Sequence, residues 1–127
     1  MKNTLLVMLA VLFYWTAQGQ TPGQTKFKEA QEYYFGLGKP YDPSKAFQLY
    51  TEAANAGYPD AMNTLANMYA GGVTVEADYK TAFSWYEKAG NAGSALAWNN
   101  LAMFYRRGEV VPQDFSRAFC IIKKVRH

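Results

Sequence analysis

The chain has 127 residues, half of them hydrophobic, with 13 Lys or Arg against 10 Asp or Glu and a net charge of +3. Its single cysteine, Cys120, excludes an internal disulfide framework. Its single histidine, His127 at the last position, leaves no Cys/His cluster for zinc and no internal histidine to activate a nucleophile.

The N-terminus carries a basic residue, Lys2, then an uncharged apolar run from Leu5 to Trp15, then the small-residue pattern Ala17-x-Gly19. That order predicts a signal peptide over residues 1–19, cleaved after Gly19. The run falls short of the about 20 apolar residues a membrane span needs, so no stable span is expected in the mature chain. The protein is therefore expected to be exported, to a periplasmic or extracellular location. Cleavage would leave residues 20–127, enough to bury roughly two-thirds of the unfolded surface around one modest core.

The remaining chain repeats every 36 residues. Asp42, Asp78 and Asp114 keep this step, as do Ala46, Ala82 and Ala118, and Phe47, Phe83 and Phe119. Tyr33, Tyr69 and Tyr105 follow it too, with Gly36, Gly72 and Gly108. A period in this range marks a solenoid whose units bury their apolar faces against neighbours. The fold class is all-α: a right-handed α-solenoid of three antiparallel helix pairs, with units near 25–58, 59–94 and 95–127.

The second unit shows the pattern. Pro59 and Asp60 suit a first helical turn, and Ala61, Leu65 and Tyr69 share one face. Gly71-Gly72 ends that helix, and a loop from Val73 to Ala77 leads to Asp78, an N-cap for the second helix. Ala82, Trp85, Tyr86 and Ala89 follow at helical spacing, and Gly93 ends the helix as Gly57 does in the first unit. Small residues alternate with rings, so the aromatic residues read as core rather than as stacking platforms for nucleic acid.

These residues resemble the Sel-one-like repeat, a tetratricopeptide-like helical repeat. Its pattern is similar to Ala61-x-x-x-Leu65, Tyr69, Gly72, Val75, Asp78, Ala82, Trp85-Tyr86, Lys88-Ala89 and Gly93. The third unit matches it with Ala97, Leu101, Tyr105, Gly108, Val111, Asp114, Ala118 and Lys124. Ala66 and Ala102 stand where the pattern has glycine, and so do Thr74 and Val110. Thr25 and Glu29 make the opening helix more polar, as a capping unit requires. Ordinary tetratricopeptide repeats, with a period of about 34, are the nearest alternative. The resemblance implies a non-enzymatic scaffold that binds a protein or peptide. Some exported family members with regular cysteine pairs are linked to penicillin binding, and this chain lacks those pairs. A cell-wall or β-lactam-directed hydrolase is the alternative, by family analogy.

No catalytic, cofactor or metal pattern is found. The carboxylate pairs Glu29/Glu32 and Glu76/Asp78 read as surface and cap. Cys120 is expected to be partly exposed and incidental. Six Lys or Arg from Arg106 onward, against Glu109 and Asp114, read as a solvated face, the alternative being a basic end that meets an acidic partner or an anionic surface. The binding surface is expected on the polar side of each first helix. Asn63 and Asn67 should point away from the packed face, with Asn99, Met103 and Arg106 in the matching positions of the third unit. Side-chain amides there can both donate to and accept from a peptide backbone. At the C-terminal end Ile121, Ile122 and Val125 are expected to lack a following unit, which allows self-association there.

Overall fold

The computed structural model describes residues 3–10 and 19–126. Residues 3–10 form helix α1, with every residue exposed. Residues 1–2 and 11–18 of the expected signal peptide, including Ala17, lie outside the described residues. Six helices follow: α2 (Pro22–Phe35), α3 (Pro43–Asn55), α4 (Pro59–Gly71), α5 (Tyr79–Asn91), α6 (Ala95–Arg107) and α7 (Phe115–Arg126). Each packs on its neighbours in sequence, with α2 also touching α4, and no strand occurs among the described residues. This is the expected right-handed solenoid of three antiparallel helix pairs. No described helix is long and apolar enough to cross a membrane. Helix α2 begins before the expected unit start because Thr21 caps it, accepting a hydrogen bond from the Gln24 N–H, and Pro22 pre-sets the first turn.

The recurring residues have recurring jobs. Asp42, Asp78 and Asp114 each accept a hydrogen bond from the backbone N–H three residues on, at 2.9, 3.1 and 2.9 Å. Their own backbone N–H groups donate to the carbonyls of Tyr33, Tyr69 and Tyr105, at 3.0, 3.0 and 2.8 Å. One aspartate thus caps the second helix and closes the loop onto the first. Gly36, Gly72 and Gly108 end the first helices in the left-handed conformation, at φ 66°, 63° and 71°, where a Cβ would be strained.

The interior is built from small residues. Ala30, Ala46, Ala53, Ala61, Ala66, Ala82, Ala89 and Ala97 are fully buried, and Leu65 is the largest side chain buried to that degree among the described residues. Alanine faces let helices approach closely, and rings from adjoining helices close the edges. Phe47 packs edge-on against Tyr69, and Phe83 packs against both Phe104 and Tyr105. The third member of this series, Phe119, is 67 % exposed. It lies on α7, the last described helix, where Ala118 is the buried residue. Ile121, Ile122 and Val125 are partly buried, and Arg117 stacks on Tyr105 to tie α7 to α6.

Two positions make this packing testable. A Cβ on Gly90 would lie 2.6 Å from Cε2 and 2.7 Å from Cδ2 of the Trp98 indole. Glycine to alanine in a helix ordinarily gains up to about 1 kcal/mol. Here the rigid ring must move, so Gly90→Ala should instead cost about 1–3 kcal/mol in urea denaturation. Its combination with Trp98→Leu should cost less than the sum of the two single changes. Val110 is a β-branched residue at φ 66°, where the first unit places Gly38 at φ 74°. Val110→Gly should therefore raise stability by about 1 kcal/mol, read as a higher Tm by circular dichroism.

Candidate functional site

The polar residues of α4 do not simply face water. Asn63 is 7 % exposed, and its Oδ1 accepts a hydrogen bond of 3.1 Å from Nδ2 of Asn100 on α6. Asn67, one turn further along α4, is exposed, and its Oδ1 accepts from the Tyr86 hydroxyl on α5. Asn100 Nδ2 also reaches Asn67 Oδ1 at 3.5 Å. The expected outward position of Asn63 therefore does not hold. The third unit packs across it, and a buried amide must find a partner. Its counterpart Asn99 is exposed on α6, because no described first helix follows to cover it.

This asparagine–tyrosine ladder floors a groove across the first helices. At one end Phe27, Tyr34 and Phe35 of α2, Tyr50 of α3, Asn67 and Met68 of α4 and Val73 of the next loop enclose about 270 Å³. The rings hold one another: Phe27 lies 5.5 Å from Tyr50, and Tyr34 lies 5.1 Å from Phe35 and 6.3 Å from Tyr50. One repeat further on, Ala70, Tyr79, Tyr86, Asn100, Met103, Arg107 and Glu109 enclose about 220 Å³. Met103 and Arg107 continue into a third recess with Arg106 and Phe115. Asn67 lines the first hollow and is hydrogen-bonded to Tyr86 and Asn100, which line the second.

Of the residues expected at a binding surface, Asn67, Met103 and Arg106 line this groove, Asn63 supports it from below and Asn99 is exposed beside it. Tyr34, Phe35, Val73, Asn100 and Arg107 were not picked out by the helical pattern. The adjacent pairs Asn99-Asn100 and Arg106-Arg107 were the available signals. The repeat step relates the walls: Tyr34 corresponds to Ala70 and Arg106, Phe35 to Gly71 and Arg107, and Gln31 to Asn67 and Met103. The groove therefore changes from aromatic to polar to basic along its length.

Three of the four candidate carboxylates, Glu29, Glu32 and Asp78, are engaged in structural contacts. Glu29 and Glu32 lie 3.4 and 3.1 Å from Lys39 Nζ. Asp78 accepts from the hydroxyl and the N–H of Thr81, and these bonds lower its pKa. Among the described residues, no group of three or more His, Cys, Asp or Glu side chains is placed to hold a metal ion. Cys120 is exposed.

The Sel1 repeat model matches residues 30–58, 59–94 and 95–119, and the chain belongs to that family. A Sel1 repeat protein from Oxalobacter formigenes has a similar structure, with a TM-score of 0.76 and 26% identity over 81% of this chain and 43% of its own. A protective antigen present in uropathogenic Escherichia coli strains, displaying an SLR fold, gives a TM-score of 0.75 and 27% identity, over 87% of this chain and 23% of its own. The chain thus spans less than half the length of either. Comparison with curated proteins gave no match.

Burial pushes the Tyr86 hydroxyl from 10.0 up to about 12, and burial with Tyr34 nearby does the same for Tyr50. The unfolded chain releases these protons near pH 10, about two units before the folded chain. Between those values the unfolded state holds fewer protons, so stability falls as pH rises; below them it is fully present. Tyr86→Phe should cost about 1 kcal/mol at neutral pH through the lost bond to Asn67. It should also make the alkaline loss of helix shallower, as followed by circular dichroism with tyrosinate absorbance. An unchanged alkaline slope would contradict this assignment.

Proposed function

We propose that the protein is an exported, non-enzymatic helical-repeat scaffold, periplasmic or extracellular, that binds a protein or peptide in the groove across α2, α4 and α6. The observation that carries this reading is the contrast between frame and walls. Positions held constant every 36 residues are caps, loop closures and alanine core. Most positions that line the recesses along the first helices differ between units, Tyr50 and Tyr86 being the exception. A repeat array that fixes its frame and varies one face presents a surface for recognition. The side chains there are rings, amides, Met and Arg, with Glu109 the one carboxylate among the described lining residues, which suits binding rather than proton transfer. Export is supported by Lys2, the apolar run from Leu5 to Trp15 and the small residues Ala17 and Gly19.

The test is affinity capture of the protein from its own envelope fraction, with mass spectrometry of bait and partner. The bait should begin at Gln20, and wild type should retain a partner that an Asn99→Ala/Met103→Ala/Arg106→Ala variant loses with unchanged circular dichroism. Full-length bait confined to the cytosol would remove export. Equal recovery by the variant would remove the groove.

A further inference from the structure

The two ends of the groove differ in chemistry, and together they describe an occupant. The α2–α4 hollow, at about 270 Å³, exceeds the roughly 150 Å³ that accommodates benzene in an engineered apolar cavity. It is open rather than sealed: Phe35 is 61 % and Val73 84 % exposed at its mouth. Exposed rings around an open recess leave apolar surface that an incoming side chain would cover. In the middle, Asn67 and Asn100 hold amide groups at the surface, where an extended backbone finds both donors and acceptors.

At the far end stand Arg106 and Arg107. Among the described residues neither has a carboxylate within ion-pair distance. Lys26 and Lys39 of the first unit, by contrast, are paired with Glu52 and with Glu29 and Glu32. Arg107 and Met103 are shared by the second and third recesses, so the charge sits on the groove wall. Guanidinium groups bind carboxylates through paired hydrogen bonds as well as charge. Phe115 lines the same recess as the two arginines.

We propose that the groove takes an extended acidic peptide segment, its apolar side chain seated among Phe27, Tyr34, Phe35 and Met68 and its Asp or Glu side chains held by Arg106 and Arg107. This rests on the scaffold reading and names its partner by chemistry. Neighbouring helices are in general on the order of 10 Å apart. At about 3.3 Å per extended residue, the anchor and the acid are separated by roughly three to five residues.

Fluorescence anisotropy with synthetic end-capped peptides tests it. The probe carries one Phe and, roughly four residues on, two Asp in a Ser/Gly/Asn background. Companion probes replace Asp by Lys, replace Phe by Ser, or carry no Asp but end in a free carboxylate. The Asp probe should bind wild type at least about tenfold tighter than the Lys or Ser probes, with affinity falling as salt rises. Arg106→Glu/Arg107→Glu should reverse the Asp-over-Lys preference, Arg106→Gln/Arg107→Gln should abolish it, and Phe35→Ser should weaken binding of the Phe probe alone. These three substitutions are at exposed positions, and circular dichroism confirms the fold in each. Equal binding of the Asp and Lys probes, tight binding only of the free-carboxylate probe, or displacement by phosphatidylglycerol vesicles or by a second copy of the chain overturns the proposal. Equal binding of the Asp and Lys probes, or tight binding of the free-carboxylate probe alone, leaves the scaffold reading untouched. That reading stands or falls on capture by wild type against the Asn99→Ala/Met103→Ala/Arg106→Ala variant, and displacement by vesicles would count against both.

Discussion

Close approach of helices over alanine is the constraint on which the rest of this structure depends. Where two helices meet at Ala46, Ala61, Ala82 or Ala97, no side chain beyond Cβ separates them, and those positions are fully buried. Large residues are then displaced to the edges of each contact. Phe27, Phe47, Tyr69, Trp85, Trp98 and Tyr105 all pack against the buried clusters while remaining partly exposed. A core rich in small residues thus leaves most rings at the seams, while Tyr50, Tyr86 and Phe104 are buried in it. The aromatic wall at Tyr34 and Phe35 is a consequence of how the helices are held together.

Because each helix touches its neighbours in sequence, stability in such an array is approximately a sum of unit and interface terms. The interfaces are not equal. The α5–α6 seam has the Gly90–Trp98 contact and the rings of Phe83 and Phe104. The α6–α7 seam rests on Ala118 and on Arg117 and Lys124 set over Tyr105 and Trp98. Opening events should therefore begin at α7, while the α4–α6 ladder of Asn63, Asn67, Tyr86 and Asn100 stays closed. The asparagine–tyrosine ladder belongs to the better-packed part of the molecule, and its amides are held in place, which would lower the ordering cost of the proposed binding.

Much of the fold was legible because the information repeats. Asp42, Asp78 and Asp114 could be read as caps from residue type alone, and the glycines at 36, 72 and 108 as helix ends. The second role of the aspartates, an N–H to the carbonyl of the preceding tyrosine, was not legible, since backbone bonds carry no residue signature. Asn63 shows the other limit. A helical wheel sorts residues by one helix's own axis and placed Asn63 opposite Ala61 and Leu65. A solenoid helix is covered on more than one side, and α6 buries what the wheel assigned to water. Phe35 and Val73 escaped for a related reason: they sit where helix gives way to loop, and their importance comes from what α2 and α4 enclose between them.

Repetition also bears on where the proposed recognition would reside. A position identical in all units offers the same chemistry at every step, so it cannot fix the register of a bound chain. The series Tyr34, Ala70, Arg106 and Phe35, Gly71, Arg107 do the opposite. Each step along the groove exchanges a ring for a small residue and then for a charge, on helices whose ends and spacing are fixed by the same caps. A chain shifted by one unit would set its apolar side chain over asparagines and its acid short of the arginines, losing both contacts at once. The regular frame supplies the distance between the two ends, and the irregular walls make that distance matter.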